Sequence, residues 1–377
     1  MDAQAAAESL AAAAAGGKVD GAADVSADVS VTREELTPLG QHLARMPLDA
    51  RIGKILIYGA LLGCLEPALT IAAAMSLSRS PFLSPMDRRQ EAQQARKPFC
   101  TERSDHMALL RAYEGWAGEL HAGGGGAARR YAESHFLSYN GMEELNGTRR
   151  TLAGALADIG FSTSPARQPL AEASSGNSAE GHTNIVRALL CAGLYPNIAR
   201  IRMPETKYMA TPQGAVETAN EEARAVKFFE IGGSRVFLHP TCVLFGESVF
   251  EHARWLTFTS KQRVGGPPPS LDKSQPTPAG GGDQGKTYVR DVSAVSPLAL
   301  LLFGGDVQVH HDKGTVTIDK EITFEAPGRV AVLVRELRVN LDKLLSDKIA
   351  QPSLEIASHP VLAAIVNLIT TERAGFS

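Results

Sequence analysis

Apolar residues recur at helical spacing through the first part of this chain. The first such stretch runs from Leu36 to Leu77, and Thr37 before Pro38 is typical of a helix start, where a capping hydroxyl is followed by proline in the first turn. Its most apolar part, Ile52 to Leu77, is divided at Glu66-Pro67. We expect two buried helices there, because a membrane span needs about 20 uninterrupted apolar residues.

A second helical block is predicted from Asp87 to about Phe161, with a loop between helices at the glycine run Gly123 to Gly126. The polar stretch Ser162 to His182 has no hydrophobic period and is predicted to be a linker or a surface loop. Helical spacing resumes from Asn184 to Ala192, and Gly193 is expected to cap this helix at its C-terminus.

The pattern changes from Phe228 onward to short β-rich runs separated by turn residues. Five or six short strands suit a small closed barrel of the oligonucleotide/oligosaccharide-binding (OB) type. The low-complexity stretch Gly265 to Gly285 is predicted to be a disordered insertion, and helices are predicted near Arg329 to Ile349 and Pro360 to Glu372. The predicted strands are Arg235 to Leu238, Val243 to Phe245, Trp255 to Thr259, Tyr288 to Val295, Val307 to His311 and Thr315 to Ile318. The fold class is therefore multidomain α+β, with a mostly helical N-terminal two thirds followed by an OB-type β-barrel and C-terminal helices.

The composition is that of a globular protein, with 44% hydrophobic residues, 21% charged residues and a net charge of -3. No overall basic field points to nucleic acid, so a surface that binds it must be a local basic patch. The four cysteines are scattered without a C-x-x-C pair, which argues against a zinc cluster or a disulfide framework. We expect a reducing compartment, the cytoplasm or the nucleus, in preference to an organelle, and Asp2 and Glu8 argue against a secretory signal.

Three patterns imitate functional sites. Gly280 to Thr287 matches the phosphate-loop pattern letter for letter, but such a loop needs a helix after it, and Tyr288 to Val292 has the pattern of a strand. Ser104-Asp105-His106 contains the residue types of a hydrolase triad, yet consecutive side chains diverge, so we interpret them as a helix start. His310-His311-Asp312 is interpreted as a hairpin tip, because neighbouring strand residues face opposite sides.

Five sequence segments spread along the chain carry a family resemblance. They read LTPLG from Leu36, SDHMALLRAY from Ser104, NIVRALLCAGLYPNIAR from Asn184, YVRDVSAVSPLALLLFGG from Tyr288 and APGRVAVLV from Ala326. Together they resemble the region that follows the ATP-hydrolysing core in DEAH-box RNA helicases.

The resemblance implies an order of domains. The expected parts are an Ala-rich start at 1–35, a winged-helix remnant and the start of the helical domain at 36–80, a helicase-associated helical ratchet domain at 81–225, an OB-fold with its insertion 265–285 at 226–350, and a C-terminal helix at 351–377. The resemblance also places the phosphate loop, the acidic box and the arginine finger upstream of these parts. We therefore expect this chain to be a helicase fragment that does not hydrolyse ATP alone and binds no cofactor, with ATP and magnesium belonging to the complete family protein.

Basic and aromatic residues are predicted to meet at one rim of the barrel, where the insertion joins two strands. Such rims commonly bind single strands, with cations on phosphates and a ring under a base. Two alternatives stay open, an internal salt bridge between Arg290 and Asp291 and a place in the core for Tyr288. The candidate RNA contacts at this rim are Lys261, Arg263, Lys286, Thr287, Tyr288 and Arg290.

Three further RNA contacts are implied by the resemblance. Arg149 and Arg150 lie on a helix of the block that resembles the ratchet domain, which faces RNA in the family. Thr241, in His239-Pro240-Thr241, matches a family motif, and its hydroxyl is expected either to hold RNA or to cap a turn.

The function expected from these residues is single-stranded RNA binding by the accessory region of a DEAH-box ATP-dependent RNA helicase. The expected partners are single-stranded RNA, upstream motor domains and a helicase-activating protein, and no membrane. One alternative is a protein-interaction module that recruits such an activating partner without touching RNA. Another is an independent nucleotide hydrolase that uses Gly280 to Thr287.

Overall fold

The computed structural model describes most of the chain. The described residues are 35–46, 48–161, 179–203, 208–211, 214–217, 226–245, 247, 250, 253–265, 285–326, 328–351, 353–355 and 359–372. The Ala-rich start up to residue 34, the predicted linker up to residue 178 and the predicted disordered insertion at 266–284 lie outside them.

Seven α-helices in the described residues precede the barrel, and polar caps start several of them. The Thr37 hydroxyl accepts a hydrogen bond from the Gly40 amide at 3.1 Å, with Pro38 in the first turn, as predicted. Ser104 and Ser138 cap two longer helices in the same way. The helices are α1 (Pro38–Ala44), α2 (Ala50–Leu61), α3 (Leu65–Ser76), α4 (Arg89–Arg96), α5 (Asp105–Ser134), α6 (Tyr139–Asp158) and α7 (Ala179–Leu194).

Three expected helix boundaries differ from the structure. The break between α2 and α3 lies at Gly63, which has a φ of 68°, and Pro67 fits inside the first turn of α3. The interruption predicted at Gly123 to Gly126 is a kink rather than a longer loop: Gly124, with a φ of 66°, leaves helical geometry and divides α5 into two helical segments. Helix α7 already begins at Ala179, inside the stretch predicted to be a linker.

Gly193 is not a C-cap, because α7 continues to Leu194. A Cβ at Gly193 would lie 2.2 Å from Cγ1 of Ile55 on α2. The glycine therefore allows α2 and α7 to approach closely, a packing role that the sequence pattern alone does not distinguish from a cap.

Five strands form the closed barrel, which confirms the OB-type prediction. Their order is β1 (Ile198–Arg202), β4 (Lys227–Glu230), β5 (Arg235–Leu238), β7 (Lys286–Val295) and β6 (Trp255–Val264), which pairs back with β1. Only β5 and β7 run parallel. Residues including Val236, Leu256, Phe258, Val289 and Val292 fill the barrel interior.

The barrel begins before the expected domain boundary at residue 226, because its first strand is Ile198–Arg202. The predicted strand Val243 to Phe245 is wrong. This segment is a turn, in which the Phe245 amide donates to the Cys242 carbonyl at 3.0 Å. Its apolar character is explained by Leu244, which is buried in the barrel core.

The remaining strands lie outside the barrel. β2 (Tyr208–Thr211) and β3 (Gly214–Glu217) form a two-stranded sheet. β8 (Val307–His310), β9 (Thr315–Ile318) and β10 (Ile322–Glu325) form a separate three-stranded sheet, so the last two predicted strands are not barrel strands.

Three helices pack with this second sheet against the helical core. Helix α8 (Pro297–Phe303) follows the barrel directly, and α9 (Gly328–Ala350) and α10 (Pro360–Thr371) confirm the two predicted C-terminal helices. One hydrophobic core runs from α2 and α5 through α7 to α10. None of the helices in the described part of the chain has the length and apolar character that a bilayer crossing requires.

Candidate nucleic-acid interface

The β6–β7 hairpin brings the predicted rim residues together. Arg263 pairs with Thr287, Gln262 with Tyr288, and Ser260 with Arg290 in one antiparallel register. Because side chains alternate along a strand, this register assigns the predicted residues to two opposite faces of the hairpin.

One face of the hairpin carries Lys261, Arg263 and Thr287. Val289 lies on the same face, is buried and pairs directly with Lys261. Lys261 Nζ contacts a carboxylate oxygen of Glu230 at 2.8 Å. This ion pair is a competing partner for Lys261. Arg263 lies at a solvent-exposed position on the same strand.

Tyr288 and its neighbours two residues away lie on the outer side, and they meet aromatic and basic residues of β5. The ring of Tyr288 lies 5.9 Å from that of Phe237, its direct partner across the parallel pair. The Arg235 guanidinium lies 4.8 Å and the Lys286 ammonium 5.6 Å from the Phe237 ring centroid. Both rings are half-buried, so Tyr288 does not fill the barrel core, which was one of the open alternatives.

His239 continues this row at the end of β5. Arg290 Nη2 lies 2.9 Å from His239 Nε2. His239 Nδ1 lies 2.7 Å from the Thr241 hydroxyl and accepts a hydrogen bond from the Thr241 amide at 3.2 Å. Burial, with a further contribution from the Arg290 charge, lowers the pKa of His239 and favours the neutral form. The Thr241 hydroxyl therefore braces a turn, and Arg290 finds its partner in His239.

We call this row the aromatic–cation face. It consists of Arg235, Phe237, His239, Lys286, Tyr288 and Arg290. The pairings continue it across β4 and β1, because Arg235 pairs with Phe229, and Phe229 with Arg200. Arg202 also lies 4.8 Å from the Phe229 ring.

Sequence reasoning missed the residues of β1, β4 and β5 in this row, namely Arg200, Arg202, Phe229, Arg235 and Phe237. A usable signal was present in Arg235 to Leu238, where a cation and a ring alternate with Val236 and Leu238, both buried. Alternation of this kind predicts one outward face on a barrel strand.

The two helical candidates occupy different environments. Arg149 donates to the Tyr113 hydroxyl at 2.6 Å and to Glu66 of α3, and its guanidinium lies 4.7 Å above the Tyr113 ring. Its side chain is only 16% exposed, which commits it to packing between α3, α5 and α6. Arg150 is exposed on α6 and remains available to a ligand.

Ser104-Asp105-His106 starts α5, as predicted, and also contacts the barrel. The Asp105 carboxylate accepts from the Val243 amide at 2.8 Å and the Val292 amide at 2.9 Å. Burial raises the pKa of Asp105, although the Arg96 guanidinium and the two amides act in the opposite direction. The predicted helix start thus doubles as a buried polar junction with the barrel.

The patterns interpreted as imitations have no site geometry in the described residues. Gly280 to Gln284 lie outside them, and Lys286 onward is a strand with no helix to hold a phosphate. His311–Lys313 form one helical turn at the β8–β9 hairpin tip, and Gly314 takes the left-handed conformation with a φ of 60°. Within the described residues, His, Cys, Asp and Glu side chains form no cluster that would hold a metal ion.

Comparisons with known proteins agree with the order of parts seen in the structure. A ratchet-like helicase-associated domain (HA2) matches residues 49–109, an OB-fold domain matches 186–307, and the C-terminal domain of RNA helicases matches 314–371. The chain is 34% identical to the ATP-dependent DNA/RNA helicase DHX36 of Homo sapiens over 349 residues, which cover 90% of this chain. This chain belongs to the C-terminal region of the DEAH-box RNA helicases.

A second DEAH-box relative shows a similar match. The ATP-dependent RNA helicase DHX29 of Mus musculus is 31% identical over 341 residues, again covering 90% of this chain. The chain spans only 31% of the length of human DHX36 and 22% of mouse DHX29. The matched OB-fold model spans the aromatic–cation face, and the ratchet-like model ends just beyond the first turn of α5.

Proposed function

We propose that the aromatic–cation face binds single-stranded RNA within an ATP-dependent DEAH-box helicase. In the complete protein, motor domains that use ATP and magnesium would move the strand, and this region would grip it. The names of the relatives, helicases that act on DNA or RNA, support a nucleic-acid ligand.

One observation carries this proposal, the alternation of rings and cations on the outer face. Half-buried Phe237 and Tyr288 are held at fixed positions and can stack with bases, which is tolerant of sequence because every base has a π-face. Exposed Arg235 and Lys286 lie beside those rings, where phosphates of the same strand would pass. No catalytic group is needed for this role.

The OB architecture gives independent support. Binding by OB-folds commonly uses the face formed by the second and third barrel strands and the loops beside it. Here these strands are β4 and β5, which carry Phe229, Arg235 and Phe237. The rings and cations therefore occupy the surface on which the fold usually receives a polynucleotide.

The test is fluorescence anisotropy with a labelled oligouridine, using the 377-residue chain and two variants of the face. Tyr288→Ala removes a stacking ring and should weaken binding by about 1 to 3 kcal/mol. Lys286→Gln removes one phosphate contact and should lower the slope of log affinity against log salt by about 0.7.

Two further lysine variants remove the same charge elsewhere, one as a control and one as a test of the other face of the hairpin. Lys313→Gln, at the β8–β9 hairpin tip, should leave both affinity and slope unchanged. Lys261→Gln tests the inner side of the hairpin, where the ion pair with Glu230 predicts a smaller effect than for Lys286→Gln. Wild-type affinity in Tyr288→Ala and Lys286→Gln would refute the assignment. Failure to bind oligouridine at all would instead favour a module that recruits an activating protein.

A further inference from the structure

The turn that carries His239 and Thr241 is hydrogen-bonded to the helical region. Asp105, in the first turn of α5, accepts the Val243 amide at 2.8 Å with one carboxylate oxygen. Its other oxygen accepts the Val292 amide at 2.9 Å, two residues beyond Arg290 on β7. One carboxylate therefore ties together the two backbone segments that present Arg290, His239 and Thr241.

Arg96, the last residue of α4, adds a second link to the same turn. Its Nη2 contacts Asp105 at 3.0 Å, and its Nη1 donates to the Thr241 carbonyl at 2.8 Å. The guanidinium also lies 4.5 Å from the Phe82 ring centroid, which limits its rotation. The fork of the guanidinium makes both hydrogen bonds at once, a geometry that a lysine ammonium does not reproduce.

These contacts are sheltered from water. The Asp105 side chain is 3% exposed and that of Arg96 is 24% exposed. Beside them, His106 contacts the Ser293 hydroxyl at 2.7 Å through Nδ1 and the Thr259 hydroxyl at 2.9 Å through Nε2. Because buried charged hydrogen bonds fix geometry more firmly than exposed ones, the junction can set the position of the turn.

We infer that Arg96 and Asp105 are positioning residues for the nucleic-acid interface: they hold the His239–Thr241 turn against Arg290 in a binding-competent arrangement. This inference rests on the proposed function of the aromatic–cation face. The helical region contributes no residue to the aromatic–cation face. The inference implies that this region nevertheless determines the conformation of one end of that face. A loosened turn must be reordered when RNA binds, and ordering two side chains lowers affinity by about tenfold.

The decisive variant is Arg96→Lys, which keeps a cation for Asp105 and so preserves charge compensation in the junction. It should unfold closer to the wild-type temperature than Arg96→Ala does, yet bind oligouridine more weakly than the wild type. Arg96→Ala should show the full loss of about tenfold. In both variants, the affinity should fall equally at all salt concentrations, because Arg96 contributes no phosphate contact and the salt slope keeps its wild-type value.

Arg88→Ala is the matched control. Arg88 adjoins the other end of α4, contacts Glu91 at 2.7 Å and lies 4.7 Å from the Phe136 ring. It thus combines an ion pair with a ring contact, as Arg96 does, but none of its described contacts reaches the barrel. Its removal should leave affinity unchanged.

A readout without RNA separates positioning from general stability. Hydrogen exchange of the Val243 amide should accelerate in Arg96→Ala, while amides in the centre of α6 keep wild-type rates. A salt slope reduced by about 0.7 would show that Arg96 touches phosphate itself and would overturn the inference. Wild-type affinity in Arg96→Ala, with the expected loss in Tyr288→Ala, would overturn it alone. If Tyr288→Ala and Lys286→Gln also kept the wild-type affinity for oligouridine, both the proposed function and this inference would be refuted.

Discussion

Protonation of His106 should make the fold sensitive to acid. His106 is 6% exposed and lies between the hydroxyls of Ser293 and Thr259, so an imidazolium at this position would be shielded from water. Burial lowers its pKa from 6.5 to about 4, while the charge of Asp291 acts in the opposite direction. The unfolded chain therefore binds this proton near pH 6.5, whereas the folded chain resists it until about pH 4.

The sign and size of the effect follow from linkage. Because the folded pKa is lower, this stabilisation is complete above pH 6.5 and is lost as the pH falls toward 4. At about 1.4 kcal/mol per pKa unit, the shift corresponds to about 3 kcal/mol in total and about 2 kcal/mol between pH 7.5 and pH 5. These values are a substantial part of the stability of an ordinary domain.

Urea unfolding of the wild type and of His106→Gln, measured at pH 7.5, 6 and 5, isolates this contribution. The variant should be the less stable protein at pH 7.5, because it loses a hydrogen bond. The difference in unfolding free energy should then shrink by about 2 kcal/mol at pH 5, since glutamine does not titrate. His121→Gln, at an exposed position on the same helix, should follow the wild type throughout. Curves for His106→Gln that stay parallel to the wild type would refute the reasoning.

Two further predictions concern packing and ion pairs. Gly193→Ala should destabilise the chain by about 1 to 3 kcal/mol in urea unfolding, because the new Cβ would overlap Ile55. In the control Gly154→Ala on α6, the new Cβ meets nothing within 4 Å. This variant should be neutral or stabilising by up to about 1 kcal/mol. Arg149→Ala should cost about 1 to 3 kcal/mol through lost hydrogen bonds to Tyr113 and Glu66, while Arg150→Ala should change stability by less than about 0.5 kcal/mol. Equal stability losses in the two arginine variants would contradict the packing role of Arg149.

Local chemistry explains why much of the fold could be predicted from sequence. Thr37 and Ser104 start helices through their own hydroxyls, and the run Thr315–Ile318 alternates as a strand should. The segment Val243 to Phe245 was wrongly predicted as a strand, because an apolar turn that packs into a barrel core has the same composition as a buried strand. The short strand Ile198–Arg202 departs from strict alternation, because the neighbouring residues Ile198 and Ala199 are both buried.

The sequence predicted where the candidate site lies on the barrel. It did not predict which of the site residues share one face of the hairpin. Lys286 and Tyr288 could be assigned to one rim from the chain order alone. Their separation from Lys261 depends on the pairing register, which places Lys261 opposite Val289. The role of Asp105 was not accessible at all, because its partner Val243 lies 138 residues away along the chain.

The hairpin pairing has a consequence for how this protein can be altered. The β6–β7 ladder closes with Val264 opposite Lys286, and a Cβ on Gly285 would lie 2.0 Å from the Gly265 carbonyl oxygen. The two ends of the intervening segment are therefore already adjacent without its help. A circular permutant with new termini at this point, or a reporter peptide spliced in there, should keep the same arrangement of strands.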